Sequence, residues 1–250
     1  MRTAAAALIA AVLLGAGCGD DDDTGGTPRL VVSAAASLTD ALTECSRDFQ
    51  GANVRLSFAG SDELAAQIRQ GVKPDVYAAA NTTLPDQLAG EGLLERPVEF
   101  ATNELVIAVP AEDPKVSSIA DLAQPDLKLV IGAESVPVGS YTHQVLDRLP
   151  ANEREAILAN VRSEEPDVNG VVGKLTQGAA DAAFVYRTDL VDGLEAITLP
   201  DDLQPTVTYG AGVVKGAGQP ELAQRYLDGL TDGACADALR TAGFGPPPRS

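Results

Sequence analysis

The chain has 250 residues, of which 45% are hydrophobic, and its 36 acidic and 18 basic residues give a formal net charge of −18. This composition is typical of a globular protein with enough chain for one large domain or two small ones. Such an acidic chain is not expected to bind nucleic acid or an anionic membrane through a basic patch. No run of eighteen apolar residues occurs, so no membrane-spanning helix is expected.

The first residues have the pattern of an export signal. Arg2 supplies a positive start, residues 4–14 are a short apolar stretch, and three small residues precede Cys18. The pattern resembles a bacterial lipoprotein signal, so we predict a signal peptide over residues 1–17, lipidation of Cys18, and an acidic tether over residues 18–28. A conventional secreted signal with an incidental cysteine is the alternative. Cleavage would remove Arg2 and no acid, which takes the net charge from −18 to −19.

Residues 30–45 predict a buried strand that runs through small residues into a helix beginning at Ser37. Ser37 and Asp40 have the spacing of a capping box. The pattern recurs in residues 54–64, where a strand ends in small residues and Ser61 precedes a second helix. A helix N-terminus at the carboxyl edge of a sheet offers free N–H groups and partial positive charge, which favour anions. Either start alone is more simply an ordinary capped helix, but two together make a converging pair possible.

Strands and helices alternate along the rest of the chain, which predicts an α/β fold with largely parallel sheets. Further strands are expected at residues 74–80, 105–110, 127–132, 180–186, 197–199 and 207–214. Further helices are expected at residues 84–94, 119–122, 141–149, 156–161, 168–175, 220–230 and 235–242.

Few residues have the arrangement that catalysis or metal binding needs. His143 is the single histidine and lies in a predicted helix, so neither a typical zinc site nor a Ser–His–Asp triad is expected. Tyr186 ends an apolar strand and is a candidate for a polar contact, with core packing as the alternative. Outside the cytoplasm, Cys45 and Cys235 suggest a disulfide, with two buried thiols as the alternative.

Six segments together resemble one family. They are AAASLTDAL, SFAGSDELAAQIRQG, PDVYAAAN, SVPVGSY, AAFVYRTD and a terminal AGFG. In this order they are similar to the molybdate-binding proteins (ModA) of bacterial ABC importers, over residues 30–245. The resemblance implies a two-lobed periplasmic-binding-protein fold of type II, with mixed, mostly parallel sheets and a tetrahedral oxyanion in the cleft between the lobes.

The resemblance also implies how the chain divides. Residues 29–105 and 208–250 would form lobe one, and residues 106–207 would form lobe two. The segments LVIAVP from Leu105 and VTYGAGVV from Val207 would be the two crossover strands. The C-terminal helices would then return to lobe one, which would bring the two cysteines together as a disulfide.

Five residues match the positions that hold the oxyanion in this family. The hydroxyls of Ser37 and Ser61, the backbone amides at Val138 and Val168, and the hydroxyl of Tyr186 would donate to it. Molybdenum would be present only within bound molybdate, without a direct bond from the protein to the metal. No cofactor is expected.

Three acidic residues next to these positions depart from the family pattern. Asp62 and Glu63 follow Ser61, and Asp167 precedes Val168. Acids beside an anion repel it unless their side chains point outward along their helices. Binding is still expected, because N–H groups at about 3 Å outweigh charges beyond a screening length of about 8 Å.

We therefore expect a monomeric binding protein and not an enzyme, anchored by lipid outside the cytoplasm. It would bind molybdate, and tungstate as well, with high affinity and deliver it to an ABC transporter permease as the lobes close and reopen. One alternative is a binding protein for another oxyanion such as sulfate. Others are a secreted hydrolase of anionic esters, for which His143 would be the available base, and a surface adhesin or sensor.

Overall fold

The computed structural model describes residues 27–248, and these contain ten strands and eight α-helices. The strands β1 to β10 are Arg29–Ala35, Asn53–Ala59, Val76–Ala79, Val98–Asn103, Leu105–Pro110, Leu129–Gly132, Val161–Glu165, Ala182–Tyr186, Leu194–Thr198 and Val207–Val213. The helices α1 to α8 are Thr39–Arg47, Ser61–Arg69, Thr83–Gly90, Pro137–Leu146, Ala151–Ala159, Val168–Thr176, Pro220–Thr231 and Ala234–Thr241. None of these eight helices is long and apolar enough to cross a membrane. The predicted signal peptide, Cys18 and most of the tether lie outside the described residues.

The strands form two five-stranded sheets. Sheet one has the order β2-β1-β3-β10-β4, and sheet two has the order β7-β6-β8-β5-β9. In each sheet four strands point the same way, and one strand, β10 or β5, runs against its neighbours. The prediction of a two-lobed α/β fold with mixed, mostly parallel sheets is therefore confirmed. We call the unit around sheet one lobe one and the unit around sheet two lobe two.

The central strands are apolar because they are covered on both faces. β8 and β10 are buried at every position, and β5 is buried at all but its last residue. Strands in this situation show continuous apolar runs and no alternation. The alternating strand β2 lies instead at the edge of sheet one, where one face meets solvent.

Two connections join the lobes. Asn103 ends β4 in sheet one and Leu105 begins β5 in sheet two, so the chain crosses at Glu104 and returns through residues 199–206. The prediction that β5 and β10 are themselves the crossover strands is wrong, because each pairs within a single sheet from its first residue. Leu105 therefore belongs to lobe two and Val207 to lobe one, each one residue away from the predicted boundary.

The sequence pattern did not predict β4 or β7. The expected helix at residues 156–161 ends at Ala159, and Val161 already begins β7. Both strands lie at sheet edges. An edge strand is partly solvated, so it needs little of the apolar patterning by which strands are recognised.

The end of the chain is fixed to lobe one. Cys45 on α1 and Cys235 on α8 form a disulfide, with sulfur atoms 2.12 Å apart. The Phe244 ring packs edge-on against Tyr209 of β10 at 5.3 Å. Gly245 exchanges backbone hydrogen bonds with Thr102 of β4. The terminal AGFG segment thus completes the packing of sheet one.

Gly139 permits a close contact between α4 and the end of β6. A Cβ at this position would lie 1.9 Å from the carbonyl oxygen of Ala133 and 2.4 Å from that of Gly132. Both atoms belong to the backbone, so no side-chain rotation can make room. The first turn of α4 therefore keeps its position only because residue 139 has no side chain.

Loss of the disulfide should destabilise the folded chain. On the chain-entropy model, a bridge between cysteines 190 residues apart restricts the unfolded state by about 5 kcal/mol. We expect the free energy of unfolding of the Cys45→Ala, Cys235→Ala double variant to be lower by up to about 5 kcal/mol. Unfolding in urea measures this difference. Unreduced, denatured protein beginning at residue 27 should contain no free thiol. Two titratable thiols would contradict the bridge.

Gly139→Ala should destabilise the protein by about 1–3 kcal/mol, because the new methyl group collides with backbone. Gly229→Ala is the matched control, since Gly229 lies in α7 and a Cβ there meets nothing within 4 Å. That change should stabilise the helix by about 0.5–1 kcal/mol. Urea unfolding measures both variants. Equal stability of the two would show that α4 does not depend on the glycine.

Candidate functional site

A cavity lies between the lobes, where strands of both sheets reach their carboxyl ends. Its wall comes from residues that end or follow β1, β2, β3, β6, β7 and β8. The lining residues are Ala35, Ala36, Ser37, Ala59, Gly60, Ser61, Ala80, Val136, Pro137, Val138, Asp167, Val168 and Tyr186. Ligands of open α/β sheets bind at this kind of edge.

All five residues that the sequence singled out lie on this wall. Ser37 is in a 3-10 turn, Ala36–Leu38, before α1, and Ser61 is the first residue of α2. Val138 is the second residue of α4, and Val168 is the first of α6. Tyr186 ends β8. Four chain segments that begin helical structure and one strand end therefore converge on one cavity.

Ser37 is not the helix cap that its spacing with Asp40 predicts. No side chain caps the 3-10 turn or α1, so the capping box with Asp40 is wrong. The turn moves the start of α1 to Thr39 and leaves Ser37 at the cavity. There its Oγ lies 2.9 Å from the hydroxyl of Tyr209, which is fully buried in β10.

The Ser61 hydroxyl is oriented by a backbone amide. Its Oγ accepts a hydrogen bond from the Ala80 N–H at 3.1 Å, and the residue is 2% exposed. Because an amide can only donate, the hydroxyl proton of Ser61 is free for another acceptor. No acceptor for it occurs among the described residues, so this hydroxyl is a donor available to the cavity.

The amides of Val138 and Val168 lie in first helical turns, where N–H groups have no acceptor within the helix. In α6 the capping carboxylate of Asp167 accepts from the Gly170 amide at 2.9 Å. The cap therefore does not occupy the Val168 amide. In α4 the residue before Val138 is Pro137, which has no N–H to compete. Both residues line the cavity, so their amides are available to it as donors, with the partial positive charge of a helix start behind them.

Tyr186 is the clearest sign that the cavity takes an acceptor. It is 1% exposed, and its hydroxyl has no hydrogen-bond partner among residues 27–248. Burial holds its pKa well above the ordinary value, so the hydroxyl keeps its proton. An unpaired buried hydroxyl costs about 1–3 kcal/mol, and an acceptor in the cavity would remove that cost.

The cavity contains no formal positive charge, since none of its lining residues is lysine, arginine or histidine. Its one acidic lining residue, Asp167, is held as the cap of α6. Glu63 is exposed and accepts from Gln67 one turn along α2. Asp62 does not line the cavity, although its buried Oδ1 has no partner in the described chain. What the site offers an anion is therefore neutral donors and helix starts.

Sequence reasoning missed three residues near the site. Tyr209 lay in a segment predicted as a strand and a crossover, without a role at the site, and its contact with Ser37 joins residues 172 positions apart. Asn103, whose amide nitrogen is 3.3 Å from the Tyr209 hydroxyl, carried no sequence signal. Asp189 lines a neighbouring cleft together with Ser37.

Asp189 adds little negative charge at neutral pH. Burial raises the pKa of its carboxyl to about 8, and nearby Asp40 and Asp167 contribute to the rise. The carboxyl is therefore mostly protonated at pH 7, despite the acidity of the chain.

Comparison with known proteins identifies relatives along almost the whole described chain. Residues 30–245 match the family model described as bacterial extracellular solute-binding protein. The chain is 38% identical over 233 residues to the molybdate-binding protein ModA of Mycobacterium tuberculosis, across 90% of this chain and 87% of that protein. It is 26% identical over 231 residues to ModA of Escherichia coli, across 86% and 88% of the two chains.

Solved structures share the fold at lower identity. The periplasmic molybdate-binding protein of Azotobacter vinelandii superposes with a TM-score of 0.78 at 20% identity, covering 88% of this chain and all of that one. The sulfate-binding protein SubI of Mycobacterium tuberculosis gives 0.76 at 14% identity, covering 88% and 87%. The chain therefore belongs to the family of bacterial extracellular solute-binding proteins, in the group of the molybdate-binding protein ModA.

Proposed function

We propose that this chain binds molybdate outside the cytoplasm and delivers it to the permease of an ABC transporter, without a catalytic step. The observation that carries the proposal is the convergence of five neutral donors on one cavity, including the unpaired, buried hydroxyl of Tyr186. Membership in a family of extracellular solute-binding proteins supports the location. The names of the sequence relatives support the ligand.

The donor set favours a fully deprotonated tetrahedral dianion. Every oxygen of such an anion can accept, so each hydroxyl and amide gains a partner. Hydrogen phosphate carries a proton that would need an acceptor, which the five proposed donors are not arranged to supply; Asp167, the one acidic lining residue, has its Oδ1 held by the Gly170 amide. Tungstate has nearly the size of molybdate and should bind alike, whereas the smaller sulfate should reach fewer donors at once.

Closure of the lobes encloses the site, and their separation releases the anion. Gly60 of lobe one lies close to lobe two at this point, because a Cβ there would be 2.5 Å from the Pro166 carbonyl oxygen. The two interlobe connections are the places where the chain can bend as the lobes move apart. One chain supplies both walls of the cavity, so a monomer is sufficient.

A hydrolase of anionic esters is poorly supported by the same geometry. A serine nucleophile needs a base within hydrogen-bond reach. His143 does not line the cavity, and the oxygens of Ser37 and Ser61 contact a tyrosine hydroxyl and a backbone amide. We therefore assign these two serines to binding.

Calorimetric titration with molybdate, tungstate, sulfate and phosphate tests the proposal. We expect molybdate and tungstate to bind alike and phosphate at least about tenfold more weakly, because its proton lacks an acceptor. Ser37→Ala and Ser61→Ala should each weaken molybdate binding by about 1–3 kcal/mol.

Ser46→Ala is the matched control for Ser37→Ala. Ser46 also contacts a tyrosine hydroxyl, that of Tyr226 at 3.0 Å, but it does not line the cavity. The affinity of the Ser46→Ala variant for molybdate should equal that of the parent protein. Equal competition by phosphate, or full affinity in Ser61→Ala, would rule out a site made of neutral donors.

We also propose that Cys18 is acylated and anchors the protein to the membrane. Cys18→Ala should then leave the protein unprocessed or release it from the membrane fraction. Mass spectrometry of the mature N-terminus measures this directly. A mature chain that begins at another residue would exclude the lipid anchor while leaving oxyanion binding unaffected.

A further inference from the structure

The contact between Ser37 and Tyr209 leaves open which hydroxyl donates. Their oxygens are 2.9 Å apart, and either can supply the proton. The direction matters for an anion. If Ser37 donates to Tyr209, its lone pairs face the cavity and repel the ligand. If Tyr209 donates to Ser37, the Ser37 proton is available to the ligand.

The side chain of Asn103 settles this direction. Its Oδ1 accepts from the Glu104 backbone N–H at 2.9 Å. Since that amide can only donate, the opposite end of the side chain must be the NH₂ group. This Nδ2 lies 2.8 Å from the Thr188 Oγ1 and 3.3 Å from the Tyr209 hydroxyl oxygen. Its two protons match these two oxygens.

The direction of the hydrogen bond from Asn103 then determines the direction of the bond between Tyr209 and Ser37. Tyr209 accepts from Asn103, so its own proton goes to Ser37. Ser37 accepts from Tyr209, and no other acceptor for its proton occurs among residues 27–248. Tyr209 keeps this proton, because burial raises its pKa well above the ordinary value.

We propose that Asn103 is a positioning residue that makes Ser37 an obligatory donor to the bound anion, acting through the Tyr209 hydroxyl. The proposal rests on the proposed oxyanion function and adds a residue that does not line the cavity. Asn103 also adjoins the crossing between the lobes and contacts Thr188 of lobe two and Tyr209 of lobe one. The orientation of Ser37 is thereby tied to the interlobe contact.

Asn103→Asp tests the direction, because a carboxylate of the same shape can only accept. Tyr209 should then donate to Asp at this position and accept from Ser37, which turns the Ser37 lone pairs towards the ligand. We expect molybdate affinity, measured by calorimetry, to fall at least about tenfold. Thermal unfolding of each variant checks that it is folded.

The new negative charge would also weaken binding, so the effect is separated by double-mutant cycles. Asn103→Asp is repeated in the Ser37→Ala and Tyr209→Phe backgrounds. In both, the relay of hydrogen bonds from Asn103 through Tyr209 to Ser37 is broken, but the new negative charge remains. We expect the loss caused by Asn103→Asp to be at least about fivefold smaller in both backgrounds. An equal loss in all three backgrounds would overturn the relay and leave only a charge effect.

A second measurement does not depend on the ligand. Tyr209 is fully buried, so its hydroxyl proton should exchange slowly enough for detection by NMR. We expect a nuclear Overhauser effect between this proton and the Ser37 β-protons in the ligand-free protein. A proton directed to Asn103 instead would overturn the proposal. If the parent protein binds no oxyanion but shows the expected Overhauser effect, the proposed function fails while the relay stands.

Discussion

The site depends on one physical constraint, the placement of hydrogen-bond donors where the chain provides no acceptor. Helix starts leave their first N–H groups unpaired, and most proteins expose these groups to water or cap them. Here the first turns of α4 and α6 meet the Ser37 and Ser61 hydroxyls and Tyr186 in a cavity between the lobes. An anion would satisfy all these donors together, and under the proposed function it is the partner that the unpaired, buried hydroxyl of Tyr186 lacks.

The same constraint explains how an acidic protein can hold an anion. The formal charge of −18 is spread over the chain, whereas the donors act at contact distance. Three of the nearby acids are arranged so that they repel an anion little, whereas the buried Oδ1 of Asp62 has no partner among the described residues. Asp167 is held as a helix cap, Glu63 faces solvent, and burial keeps Asp189 mostly protonated. The N–H and O–H dipoles next to the anion therefore outweigh the distant acidic charges, whose effect on the anion is screened by salt.

The scaffold serves this placement in three ways. Both sheets turn their carboxyl ends towards the cleft, so helix starts from both lobes meet there. Glycines remove the Cβ atoms that would prevent close approach, at Gly139 within lobe two and at Gly60 between the lobes. The disulfide between Cys45 and Cys235 holds the C-terminal helices against α1, beneath the Ser37 turn. A rigid frame thus holds donors whose partner is a ligand.

The sequence by itself predicted the class of fold and the two serines at helix starts from local features, namely apolar runs and small residues at strand ends. The family resemblance, which is also read from the sequence, named the five candidate ligand residues. The tertiary structure decided the rest. Edge strands β4 and β7 carry little apolar pattern, and the crossing at Glu104 is set by pairing between distant strands. Ser37 does not cap α1, because a 3-10 turn moves the helix start to Thr39, and its hydroxyl instead contacts Tyr209, 172 residues away. Asn103 became visible only through its contacts, since the direction of a hydroxyl proton depends on partners that no local pattern specifies.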